Sequence, residues 1–261
     1  MMSLKVWWVK CGHGHGNFGD NLTKNLLDKL CNIKVEHVHE FEDATLIGIG
    51  SVLDMLPMTY SGYIWTSGAI DSKTILDFPK ANIIALRGVL SAKKVNRGGN
   101  IVMGDGGLLC NYLDTKKVLK TKRLGIIPHY VDINNSHVLA LSKQPWVSLI
   151  DICDDYQRVI AKVKRCHYIV SSSLHGLILA DSCGIPNRRF DVGGNIVGDG
   201  FKYDDYYSIY PNVDKNKVSP INLANKRVEH IIKEIEDYDR TGIEGRKEEL
   251  LQTFENIIAL L

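Results

Sequence analysis

The chemistry-bearing residues of this 261-residue chain are most concentrated in the run Ser171-Ser172-Ser173-Leu174-His175-Gly176. It joins an apolar strand-like stretch, Tyr168 to Val170, to an apolar stretch of helical period, Leu174 to Cys183. Serine at such a junction reads as a helix cap. It reads equally as an anion site, because hydroxyls, free backbone N–H groups and an imidazole meet at the positive end of a helix. The dipole biases His175 towards its neutral form, and a bound multiply charged anion would draw a proton onto it, so His175 is a candidate general acid. Pro128-His129 and Arg87-Gly88 each follow another apolar run. Both fit the rule that ligands of α/β proteins gather at the carboxyl ends of strands.

Two further patterns invite chemistry. Gly14-x-Gly16-x-x-Gly19, inside Gly12 to Asp20, satisfies the dinucleotide fingerprint between a strand and a helix. Asp20, however, would open that helix with a negative charge where a pyrophosphate should sit, and reads more economically as an N-cap. Glu36 and Glu40 stand where a ribose-binding acid would be needed. The pairs His13/His15 and His37/His39 have the i, i+2 spacing that puts two imidazoles on one strand face. No carboxylate or thiolate set accompanies them, so no metal site is expected.

These residues need a scaffold. Short runs rich in β-branched residues recur at Leu4 to Val9, Thr45 to Ile49, Tyr63 to Trp65, Asn82 to Leu86 and Ile101 to Met103. Helical periods separate them at Leu22 to Leu30 and Val89 to Val95. Strands alternating with helices predict parallel pairing through crossover connections. This first α/β unit spans residues 1–113. The lysine-rich stretch that follows (DTKKVLKTKR, from Asp114) lacks core-forming residues and predicts a solvated linker over 114–122. A second α/β unit follows over 123–222, with strands at Leu124 to Ile127, Trp146 to Ile152, Tyr168 to Val170 and Arg189 to Val192 and helices at Tyr156 to Arg165 and Leu174 to Cys183. Residues 223–261 predict two amphipathic helices, interrupted at Thr241-Gly242. They either pack back across the units or lie on a membrane surface.

Composition limits the functions available. With 44% hydrophobic and 24% charged residues the chain has a globular balance. A formal net charge of +2, from 32 basic and 30 acidic side chains, argues against nucleic acid as the main ligand, so any anion site must be local. No signal-peptide pattern and no apolar run of about 18 residues is visible, which predicts a cytoplasmic location. Six scattered cysteines without a C-x-x-C pair predict reduced thiols.

Taken in order, the motifs resemble the polysaccharide pyruvyltransferase family, especially its short ketal-pyruvate transferases of exopolysaccharide and capsule pathways in bacteria. They are Gly16-Asn17-Phe18-Gly19-Asp20, Ile47-Gly48-Ile49-Gly50-Ser51, Arg87-Gly88, Gly104-Asp105, Pro128-His129-Tyr130-Val131-Asp132, Ser171 to Gly176, and Phe201-Lys202-Tyr203-Asp204-Asp205-Tyr206-Tyr207. The resemblance implies an α/β fold of two Rossmann-like domains facing across a cleft, GT-B-like. It implies phosphoenolpyruvate as donor, a glycan or polyprenyl-linked oligosaccharide as acceptor, no further cofactor, and peripheral association with the inner face of the cell membrane.

Under that resemblance His175 and Arg87 belong to the donor site and His129 lies across the cleft. Many family members carry arginine where this chain has Ser173, so phosphate charge must be met elsewhere. Ser172 and Ser173 supply hydroxyls, and Arg188, Arg189 or Lys202 are the cations nearest in sequence. The reaction needs a general acid to protonate C3 of the donor and cations for its phosphate and carboxylate. His175 is the expected acid, Arg87 the anion clamp, and His129 a base or sugar-orienting group. Asn17 and Asp20 either hydrogen-bond the acceptor or shape the first helix. The rival readings are a GT-B glycosyltransferase using a nucleotide sugar, a dinucleotide-dependent oxidoreductase built on Gly14 to Gly19, and a carbohydrate-binding protein without turnover.

Overall fold

In a computed structural model, the structure describes residues 3–9, 18–95, 101–193, 196–210, 219–224, 226–236 and 238–260. The chain opens with β1 (Leu4–Trp7), α1 (Phe18–Cys31), β2 (Val35–His37), β3 (Leu46–Ile47), β4 (Tyr63–Ser67), β5 (Asn82–Leu86), α2 (Val89–Lys94) and β6 (Val102–Met103). A 3-10 helix over Gly106–Leu113 leads on to β7 (Lys122–Ile127), α3 (Ser136–Ser142), β8 (Val147–Leu149), α4 (Tyr156–Lys164), β9 (Cys166–Ser171) and α5 (Leu174–Ser182). The remainder is β10 (Asn187–Asp191), α6 (Phe201–Tyr207), β11 (Ile221–Asn222), α7 (Val228–Ile235) and α8 (Ile243–Ile258).

The fold is α/β with two parallel sheets, ordered β2-β1-β3-β4-β5-β6 and β11-β10-β9-β7-β8. Helices cover the apolar strands, as parallel sheets require. In α1, Leu22, Leu26 and Leu27 are buried, with Asp20 in the first turn and Lys29 in the last, the arrangement that suits the helix dipole. In α4, Asp155 caps the start by accepting from the N–H groups of Gln157 and Arg158, and Val159, Ile160 and Val163 face the core. All nine residues of α5 are buried. A helix apolar on every side belongs in the centre, and one hydrophobic cluster accordingly joins Leu22 of α1, Leu108 and Leu109 of the 3-10 helix, Ile169 of β9 and Ile178 of α5. Side chains from both halves therefore share one packed interior.

The two closing helices have different destinations. Val228, Ile231, Ile232 and Ile235 of α7 fill a cluster with Val170, Phe190 and Ile221 of the second sheet. Helix α8 returns to the first sheet, where Trp65 Nε1 donates to Thr253 Oγ1 at 2.7 Å and the Trp65 and Phe254 rings lie 5.3 Å apart. Lys247 Nζ of the same helix donates to the Ser182 carbonyl at 2.9 Å, at the end of α5. Its buried apolar positions, Leu250, Phe254 and Ile257, are thus used in packing. Among the described residues, no helix is long and apolar enough to cross a membrane.

Some local expectations change: β7 begins at Lys122, inside the expected linker, and α3 and β11 stand where no element was expected. The strand expected over Trp146 to Ile152 shortens to β8, and at its start Trp146 adopts a left-handed conformation (φ 64°) outside the extended range. Helix α6 had no apolar period to announce it. Its residues, FKYDDYY, are held by tyrosine hydroxyls and a carboxylate: Tyr203 Oη donates to the Ser172 carbonyl at 2.6 Å, and Tyr206 Oη donates to Asp181 Oδ2 at 2.5 Å.

Candidate active site

Loops from the carboxyl ends of β1, β3, β4, β7 and β9 meet at a cavity of about 250 Å³ between the two sheets. Val9, Asp20, Ser51 and Ile70 face it from the first half, and His129, Ser173, His175 and Lys202 from the second. The position follows from parallel topology, which delivers every strand-to-helix loop of a sheet to the same edge.

His175 is the second residue of α5 and is buried. Its ring lies so close to α1 that a Cβ on Gly19 would fall 1.9 Å from Nδ1, so the approach requires glycine there. Its Nε2 is buried without a hydrogen-bond partner. Such orphans are rare in folded proteins, and this one sits on a residue in the wall of a cavity. Burial, followed by the charges of Arg87, Lys202 and His129, pushes the imidazole down to about 3. In the empty site His175 is therefore neutral.

His129 is held by a short relay. Its backbone N–H donates to Ser172 Oγ at 2.9 Å, and Ser172 Oγ donates to Asp132 Oδ2 at 2.6 Å. Asp132 is buried, which raises its carboxyl, while the Ser172 hydrogen bond works in the opposite direction. Burial and then the Lys202 charge push the His129 imidazole down to about 4. Lys202, from the first turn of α6, is also buried and is pushed down to about 8, first by burial and then by Arg87 and Arg189, with Asp20 opposing. At neutral pH the cavity thus offers the Lys202 ammonium, two neutral imidazoles and the Ser51 and Ser173 hydroxyls, with the Asp20 carboxyl group on the opposite wall. Ser173 occupies the N-cap position of α5 but makes no side-chain capping bond. Such a set suits an anion that brings its own negative charge to the imidazoles.

Several residues expected at the site point elsewhere in the structure. Arg87 does not line the cavity. Its side chain is fully buried, Nε donating to Asp205 Oδ2 at 2.9 Å, Nη1 to Ser51 Oγ at 2.5 Å, and Nη2 to the Ala69 carbonyl. It reaches the cavity only through Ser51, because its preferred partner is a carboxylate delivered by α6. Arg188 is also turned away, with Nε on the Ser219 carbonyl at 3.1 Å and Nη1 on the Glu234 carbonyl at 2.9 Å. Neighbouring side chains of a strand take opposite faces, and Arg189 takes the inner one, its guanidinium stacked 3.8 Å from the Tyr203 ring centroid. Ser172 directs its hydroxyl to Asp132 rather than into the cavity. Asp20 lines the cavity, whereas Asn17 and the glycine run Gly12 to Gly16, with His13 and His15, lie outside the described residues.

Ser51, Asp132, Tyr203 and Asp205 had no assigned site role from sequence. Each belongs to one of the motifs quoted above, at a strand end or on α6. The available signal was the motif, and the contacts depend on chain segments brought together from far apart.

A family model described as polysaccharide pyruvyl transferase matches residues 59–194, just over half of the chain. That span includes Arg87, His129 and the Ser171 to Gly176 run and leaves Asp20 and Lys202 outside. Among curated proteins, an uncharacterized protein of Acanthamoeba polyphaga mimivirus is 35% identical over 170 residues, covering 58% of this chain and 56% of the relative. The succinoglycan biosynthesis protein ExoV of Rhizobium meliloti (strain 1021) is 28% identical over 198 residues, covering 74% of this chain and 61% of the relative. The matched part of the chain thus spans less than two thirds of either relative.

Proposed function

The chain belongs to the polysaccharide pyruvyl transferase family, and from that premise we propose that it is a transferase moving the enolpyruvyl unit of phosphoenolpyruvate onto a sugar. The acceptor is a cell-surface polysaccharide or its polyprenyl-linked precursor, and the product is a cyclic pyruvate ketal. In this reading residues 1–113 and 123–222 form two Rossmann-like units in a GT-B-like arrangement, joined by 114–122 and closed by the helices of 223–261. The relative named for succinoglycan biosynthesis supports a polysaccharide context.

The observation that carries the proposal is the unpartnered Nε2 of His175 beside the buried ammonium of Lys202. Lys202, Ser173 and the N–H groups at the start of α5 receive the phosphate and carboxylate of the donor. The added negative charge raises His175 into its protonated form. The imidazolium then gives its proton to C3, and the electron deficit at C2 is met by a sugar hydroxyl. The C2–O bond to phosphate breaks as a second hydroxyl of the same sugar closes the ring. Of the two hydroxyl protons, one restores His175 through His129 or solvent and the other leaves with phosphate. Asp20 and Asn17 contribute to the acceptor side.

A thermal-shift comparison tests the donor, because a ligand that binds only the native state raises the melting temperature. Phosphoenolpyruvate should do so, and phosphate should be released only when a glycan acceptor is added. Stabilisation by a nucleotide sugar or a nicotinamide dinucleotide, with none by phosphoenolpyruvate, would replace this reading.

A further inference from the structure

The apolar face of α8 is packed inside the protein, yet another surface has interfacial chemistry. Leu119 is 82% exposed and Trp146 is 64% exposed. Both lie at the amino edge of the second sheet: the Thr121 and Lys122 N–H groups donate to the Arg165 carbonyl, and the Arg123 N–H donates to the Trp146 carbonyl at 2.9 Å. Around them Lys116, Lys117, Lys120, Arg123, Lys143 and Arg165 are all exposed. Asp114 pairs with Lys164 at 3.5 Å, Glu244 with Lys247 at 2.7 Å, and Glu229 with Arg123 at 3.0 Å, so Arg123 shares its charge with a carboxylate while the three lysines from Lys116 to Lys120, with Lys143 and Arg165, supply the rest of the rim. Trp146 is also held at φ 64°, a conformation that disfavours a bulky side chain.

We propose that this edge, with Trp146 and Leu119 as apolar anchors inside a lysine and arginine rim, docks the protein on an anionic lipid bilayer. An indole and an aliphatic side chain sit well at the depth of lipid headgroups, and each basic residue near an anionic surface adds electrostatic attraction. Charge complementarity favours a membrane over a neutral protein partner. The cavity lies at the opposite ends of the same strands, and six residues of β7 span about 20 Å. Docking on this edge therefore holds the cavity away from the lipid, suited to a sugar several units out along a carried chain.

The full chain is sedimented with phosphatidylcholine vesicles and with vesicles containing phosphatidylglycerol, and tryptophan quenching by brominated lipid is read in parallel. Binding is measured without turnover, so it holds or fails independently of pyruvyl transfer. Anionic vesicles should bind the protein and quench it. The triple charge reversal Lys116→Glu, Lys117→Glu, Lys120→Glu should weaken partitioning at least about tenfold. Trp146→Gly should remove most of the quenching and weaken partitioning, while melting no lower than the parent because glycine accepts this φ. Equal binding to neutral and anionic vesicles, parent-like binding of either variant, or binding without quenching would each overturn the proposal. The last of these would mark a site for soluble polyanions.

Discussion

Arg87 and Asp205 form an ion pair between the end of β5 and α6, Nε to Oδ2 at 2.9 Å, with both side chains fully buried. Ser91 strengthens it, donating to Asp205 from its backbone N–H at 2.7 Å and from Oγ at 2.6 Å. Gly88 permits the approach, since a Cβ there would fall 1.9 Å from the Asp205 carbonyl oxygen. Removing one partner leaves the other charge buried and uncompensated. Asp205→Ala should therefore cost about 3–5 kcal/mol in urea denaturation. Arg87→Ala should lower stability before it alters donor affinity. If Arg87→Ala keeps the parent's unfolding midpoint, the pair is not the strut described.

His175→Gln keeps a donor of similar size and loses the transferable proton. Turnover should fall roughly 10²–10⁴-fold, the usual range for general acid catalysis, while phosphoenolpyruvate still raises the melting temperature. Donor binding at pH 7 should also take up a proton in the parent, because the empty-site imidazole is neutral. Calorimetry in buffers of different ionisation enthalpy reads that uptake, and the glutamine variant should lose it. Near-parent turnover would send the search for the acid to His129.

Lys202 lines the cavity, and in the proposed function it supplies the cationic charge that an arginine at the Ser173 position would carry. Lys202→Met should raise KM for phosphoenolpyruvate by roughly 10–100-fold, the equivalent of a charged hydrogen bond of about 1.5–3 kcal/mol. Lys202→Arg should recover part of the loss. A methionine variant with parent KM, measured by steady-state phosphate release, would remove Lys202 from the donor site.

Acid should destabilise the chain through its two buried imidazoles. His175 and His129 are held at about 3 and about 4 against an ordinary 6.5, so the unfolded state binds protons that the folded state refuses. Stability is fully present above about pH 6.5 and falls as the pH drops towards 4, by about 1.4 kcal/mol per pH unit for each histidine. Asp105, pushed up to about 6 by burial, works in the other direction over part of that window, since its carboxyl protonates first in the folded state. The sum predicts an acid limb of about one proton from these three groups. Urea midpoints between pH 7 and 4 should show that limb, flattened in His175→Gln.

The sequence by itself determined the α/β class, the strand-and-helix alternation and the serine-histidine junction, because apolar period and helix-start chemistry are local. Leu22, Leu26 and Leu27 declare a helix face wherever that helix is placed, and Ser171 to His175 declare a strand-to-helix turn. The partners of the charged groups were a different matter. Arg87 looked like a free cation after a strand, and only the packing of α6 against α2 brought Asp205 to it, 118 positions along the chain. Arg188 and Arg189 were equivalent as letters, and the pleat of β10 separated them into an outward and an inward residue. Lys202 entered the cavity on a helix without apolar period, fixed by the Tyr203 hydrogen bond to Ser172. Each assignment depends on which distant segment buries the charge, because desolvation and pairing are properties of the assembled interior rather than of neighbours in sequence.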